Sequence, residues 1–127
     1  MAKANLSRPT PGAESAESEE ELAKRTEAYA RFATGIIREM NDEPQAALEE
    51  YLKSATADPS NEPLVLDVSR QLLQQKQPEK ALNLLTSAAA LPKSSGMLDV
   101  YLGLAYSQLG KNDSAIAATR SAIKKMP

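Results

Sequence analysis

The sequence predicts an all-α fold, a stack of three antiparallel helical hairpins, on three observations. Composition is the first: Ala and Leu are abundant, only 4% of the 127 residues are aromatic, and Val, Ile and Thr are too sparse to furnish several strands. The second is punctuation, six stretches of helical apolar spacing separated by Pro, Gly, Asn and Asp. The third is a pattern of small residues that returns every 34 residues. The length suits one domain.

Residues 1–17 hold Pro9, Pro11, Gly12 and several Ser and Glu with almost nothing apolar to bury, so they are expected to form a flexible tail ahead of a repeat domain at 18–127. Ser18 and Glu21 have capping-box spacing, and Glu19 to Glu21 put negative charge at the positive end of a helix dipole. That helix should run to about Met40. Asp42 before Pro44 reads as an N-cap followed by an early helical proline, and the second helix ends at Asp58 and Pro59. Asn61 and Pro63 repeat the start signal, and Leu64, Val65, Val68, Leu72 and Leu73 follow at helical spacing until Lys76 and Gln77 interrupt it. Pro78 opens the fourth helix, which Ala81, Leu82, Leu84, Leu85 and Ala88 carry toward Pro92. Leu98, Leu102, Ala105, Tyr106 and Leu109 make the fifth, Gly110 suits a C-terminal cap, and Asn112 or Asp113 is expected to cap the sixth.

At the 34-residue offset the copies are 28–61, 62–95 and 96–127. Gly35, Ser69 and Gly103 share one place, Ala47, Ala81 and Ala115 another, and Ser54, Ala88 and Ala122 a third, with Tyr51, Leu85 and Thr119 between the last two. Small side chains are what a close helix crossing requires. Pro59 and Pro127 coincide, while Lys93 stands there in the middle copy. The pattern resembles the tetratricopeptide repeat, which has a small residue at its eighth place, Ala at the twentieth and twenty-seventh, an aromatic at the twenty-fourth and Pro at the thirty-second. The resemblance covers residues 28–127 and implies a right-handed α-solenoid. The third copy fits best, although Asp99 stands where the family often has an aromatic. The first copy departs: Arg31, Thr34 and Arg38 occupy usually apolar places and the apolar stripe is Tyr29, Phe32, Ala33, Ile36, Ile37 and Met40. This predicts a first helix that is rotated or shifted in register, as terminal repeats are often atypical.

Composition also argues against whole classes of function. Lys and Arg number 15 against 17 Asp and Glu, so the formal charge of −2 gives no general attraction to nucleic acid or to anionic membranes. Without Cys there is no disulfide, thiolate metal site or thiol nucleophile, and without His the commonest general base and neutral metal ligand are missing. Adjacent carboxylates such as Glu49 and Glu50 do not face one another on a helix as a catalytic pair must. No phosphate loop, nucleophile elbow or metal-ligand spacing is present. The expectation is a protein that is not an enzyme, has no catalytic residues and takes no cofactor or metal. No apolar run is long enough for a membrane span and the start lacks the apolar centre of a signal peptide, which predicts a cytoplasmic chain, or an exported one if a leader precedes it.

The resemblance implies a scaffold that binds a protein or peptide, because the first helices of such repeats line a concave groove. Its usual groove places fall here on Phe32, Ile36, Leu66, Arg70, Val100 and Leu104, five apolar residues and one cation. They favour an apolar peptide or helix, with Arg70 as its charged anchor, over the Lys and Asn carboxylate clamp by which some members hold chaperone tails. Arg120, Lys124 and Lys125 could meet an acidic partner, but they also offset the dipole of the last helix. A second expectation is self-association through the C-terminal end around Tyr106, Ile116 and Ile123, as a piece of a longer array would show.

Overall fold

The computed structural model describes residues 17–126, and within them the chain is all-α: six helices pair into three antiparallel hairpins, stacked one on the next. The helices are α1 (Glu19–Met40), α2 (Pro44–Ala57), α3 (Glu62–Gln74), α4 (Pro78–Ala89), α5 (Gly96–Gln108) and α6 (Asn112–Lys125). The expected tail at residues 1–17 lies outside the described residues except for Glu17, and so does Pro127. Two predicted starts form as read. At α1, Ser18 Oγ accepts from Glu21 N–H and the Glu21 carboxylate accepts from Ser18 N–H, both at 3.0 Å. At α3, Asn61 Oδ1 accepts from Leu64 N–H at 3.4 Å.

Each hairpin turns in the same way. Asp42, Lys76 and Gly110 stand 34 residues apart and all have left-handed backbone, with φ of 60°, 60° and 74°. In each turn the next residue's N–H reaches back to a carbonyl of the last helical turn: Glu43 to Arg38, Gln77 to Leu72 and Lys111 to Tyr106, all at 2.9 Å. This is the Schellman closure, which satisfies carbonyls that a helix end leaves open. It corrects two readings. Asp42 is the left-handed residue of the turn and the N-cap of α2 is Glu43, without a side-chain capping bond. Likewise the N-cap of α6 is Lys111, with Asn112 and Asp113 already inside the helix. The turn geometry fixes where the second helix starts, and the preference of Asp or Asn for caps does not move it.

The crossings repeat too. A Cβ added at Gly35 would lie 2.5 Å from Tyr51 Cε1, and one at Gly103 would lie 3.2 Å from Thr119 Oγ1, so the same two places touch in the first and third hairpins. Ser69, at this place in the second, is fully buried. Further along, Ser54 Oγ donates to Ala28 O at 2.7 Å, and a Cβ at Gly96 would meet Ala122 O at 3.0 Å. Against its own partner α1 is therefore in the same register as α5, which corrects the expected shift. The first copy's polar residues are accommodated locally: Arg31 reaches Glu50 at 3.4 Å, Thr34 Oγ1 donates to Ala30 O at 3.0 Å, and Arg38 pairs with Glu43 at 3.0 Å. One core runs through the stack, with Val65, Val68, Leu85, Leu98 and Ala105 fully buried at its centre.

The two steps of the stack differ. From the second hairpin to the third, α5 packs on both α3 and α4, and three hydrogen bonds tie the step: Ser95 Oγ and Ser95 N–H donate to the Glu62 carboxylate at 2.6 Å and 3.0 Å, and Gln108 Nε2 donates to Leu73 O at 3.0 Å. From the first to the second, only α2 is in contact with α3 and α4; among the described residues α1 packs on α2 alone. Tyr51, on α2, belongs to the common core and packs against α1. It contacts Phe32 with ring centroids 5.4 Å apart, presses on Gly35, and its hydroxyl donates to Glu39. The smaller Leu85 holds this place at the second step.

Candidate functional site

A helix with one neighbour can bury only one side, and α1 buries its small residues. Ala28 and Gly35 face α2, while the large apolar side chains of the helix remain exposed: Leu22, Tyr29, Phe32, Ile36, Ile37 and Met40. At about 100° per residue they span an arc of ~140°, centred roughly a quarter-turn or more from the docked face. The predicted stripe exists, and all of it but Phe32, which reaches the Tyr51 ring from its edge, lies well off the docked face. Met40 at 78% and Tyr29 at 67% exposure show how little of it is covered. The Arg25 guanidinium lies over the Tyr29 ring at 5.7 Å, a cation–π contact at the edge of the stripe. Where α1 parts from α3, a cleft of about 220 Å³ opens between Tyr29, Phe32 and Ala28 on one side and Ser54, Asp58 and Asn61 on the other.

The six predicted groove residues fall into three groups. Phe32 and Ile36 stand exposed on α1, beside or on the stripe. Leu66 is half-buried against the core, and Arg70 is exposed but paired with Asp67 one turn before it, with Gln71 bonded to the same carboxylate at 3.1 Å. Val100, half-buried, and Leu104, half-exposed, line a second cleft of about 390 Å³ with Gly103, Ala115, Ile116 and Arg120, between α5 and α6. They do not form one continuous trough, because α1 and α3 are not in contact. Tyr29, Met40 and Met97 belong with the exposed apolar set and were outside the predicted places. Their signal was periodicity, since Tyr29, Phe32, Ile36 and Met40 step along α1 by three and four.

Burial pushes the Tyr51 hydroxyl up from its ordinary 10 to about 12, helped by its hydrogen bond to Glu39 and by the charges of Glu39 and Asp67, so it remains a donor well into the alkaline range. Asp99 is buried at 5% exposure and meets Lys125 Nζ at 2.9 Å, while the same Nζ donates to Ser94 Oγ at 3.1 Å. That assigns one of the three C-terminal cations an internal partner. Arg120 and Lys124 are exposed and in no ion pair among the described residues. No group of three or more His, Cys, Asp or Glu side chains among the described residues is placed to hold a metal ion, and no helix there is long and apolar enough to cross a membrane.

Comparison with known protein families finds no match for this chain, and comparison with curated proteins finds none either.

Proposed function

We propose that this protein is a non-enzymatic interaction scaffold of the tetratricopeptide-repeat type, binding an apolar helix or extended peptide along α1 and the cleft beside it. The observation that supports this most is the α1 stripe: six large apolar side chains on one face of one helix form a contiguous exposed surface of the kind that marks an interaction site. The repeated Schellman turns and the repeated close crossings support the family reading, since both recur at its 34-residue period. In this reading Tyr29, Phe32 and Ile36 are the apolar anchors. Asp58 and Asn61, across the cleft, supply polar contacts that orient the ligand. Arg70 is engaged by Asp67 and its role as an anchor is secondary.

The test is selection from a displayed library of helical and extended peptides, followed by binding measurements on variants. Ile36→Glu places a carboxylate on the exposed stripe and Phe32→Glu does so while also removing the ring contact with Tyr51, so helical dichroism checks that both remain folded; each is expected to weaken selected ligands ~10-fold or more. Leu66→Glu is a poor probe, because Leu66 packs on the core and its loss would also affect folding. Ligands that bind both α1 variants as tightly as the parent would defeat this reading.

A further inference from the structure

The open face of the third hairpin has a counterpart that is already filled. Val100, Gly103, Leu104, Ala115, Ile116 and Thr119 line the cleft between α5 and α6. Moved back by 34 residues, these places are Leu66, Ser69, Arg70, Ala81, Leu82 and Leu85, on the hairpin against which α5 packs; all but Arg70 are buried or half-buried there. The difference in exposure shows at two of these places: Leu85 is fully buried and Leu82 half-buried, whereas their counterparts Thr119 and Ile116 are exposed, Ile116 at 51%. The same places recur in every hairpin, and among the described residues only the third hairpin has no following helix against them. At the other end of the stack, α1 is a helix with an uncovered apolar face.

The two ends also differ in charge. Between Ser18 and Asn61 there are ten carboxylates and five cations, while between Gly96 and Pro127 there are two carboxylates and four cations. One of those two, Asp99, is already paired with Lys125. Arg120 lines the open groove and Lys124 stands one turn further along α6. Glu19, Glu20 and Glu21 sit in the first turn of α1. We propose that the α5/α6 groove of one copy receives the α1 stripe of a second copy, head to tail. The Glu62–Ser95 tie shows that a helix received in this groove starts beside the start of the hairpin's first helix, near the end of its second. Seated in that direction, α1 brings Glu19 to Glu21 to the end of α6, where Arg120, Lys124 and Lys125 lie. It presents its own stripe, not the places that α5 uses, which in α1 carry Ala30, Thr34 and Asn41. Such a contact joins unlike surfaces, so it propagates into chains or closes into rings.

This inference does not rest on peptide binding, and it is tested with side chains outside the proposed peptide anchors. The full chain is followed by sedimentation and light scattering from micromolar to millimolar concentration, at low and high salt. Expected is a mass that grows with concentration beyond a dimer and falls back as salt screens the charged ends. A head variant, Ile37→Asn with Met40→Asn, and a tail variant, Ile116→Asn with Ile123→Asn, alter only exposed residues, and helical circular dichroism checks that both remain folded. Each alone should associate at least tenfold more weakly. An equimolar mixture of the two retains one intact head and one intact tail, and should stop at a dimer. A chain that is monomeric at every concentration overturns the proposal. So does loss of association in the tail variant with none in the head variant, which would mean tail-to-tail pairing, or a mixture of folded variants that forms no dimer.

Discussion

Replacing Gly35 and Gly103 by Ala, one at a time, should give opposite signs at equivalent places in the repeat. Both glycines sit inside helices, where Ala is favoured over Gly by about 0.8–1 kcal/mol, so backbone propensity alone stabilises each variant. Packing separates them. At Gly35 the new methyl would lie 2.5 Å and 2.6 Å from Tyr51 Cε1 and Cδ1. That ring is held by Phe32 and by its hydroxyl bond to Glu39, and cannot swing clear as a flexible chain end would. Overpacking of this kind costs about 1–3 kcal/mol. The net for Gly35→Ala is a loss of up to about 2 kcal/mol. At Gly103 the methyl meets Thr119 Oγ1 at 3.2 Å and Ala115 O at 3.5 Å. Thr119 is exposed and can yield by a few tenths of an ångström, so Gly103→Ala should be stabilising by about 0.5–1 kcal/mol. Urea unfolding followed by helical dichroism measures both, and the melting temperatures should move in opposite directions by about 4 °C per kcal/mol. Tyr51→Leu, which installs the residue of the second copy, should rescue much of Gly35→Ala in a double-mutant cycle. Equal tolerance of Ala at both glycines, or a cycle without coupling, would refute the claim that Tyr51 is locked at this crossing.

Other outcomes follow from single contacts. Ser69 Oγ is buried with no hydrogen-bond partner among the described residues, so Ser69→Ala should raise stability by about 1 kcal/mol in the same urea assay. Lys125→Met strands the buried Asp99 carboxylate and should cost about 1–3 kcal/mol, while adding Asp99→Leu to it should recover most of the loss. The Tyr51 hydroxyl is raised when folded, so its contribution is fully present below pH 10 and is lost as pH climbs through about 12. Urea unfolding across this range should show the decline, and Tyr51→Phe should flatten it.

Much of the fold was legible because the signals were local. The Ser18–Glu21 capping box, the Asn61 cap and the stops at Pro59 and Gly110 depend on residues within one turn of each other, and the small residues at the crossings announced themselves by recurring. The hairpin turns were legible only where glycine marked them. Asp42 and Lys76 adopt the same left-handed geometry as Gly110 without glycine's signature, because the packed helices on either side impose it. For the candidate site, Phe32, Ile36 and Leu104 are exposed and Val100 is half-buried, while Leu66 packs inward and Arg70 is taken by Asp67. The separation of α1 from α3 was not legible, since it is a relation between helices and helical periodicity describes one helix at a time.

The most direct measurement is the affinity of peptides selected against the parent chain for the parent and for Ile36→Glu, with helical dichroism confirming that the variant is folded. The account predicts selected peptides with apolar residues spaced three and four apart, and a drop in affinity of ~10-fold or more in the variant. Peptides that bind Ile36→Glu and the parent equally, or a library that yields no ligand for α1, would contradict it.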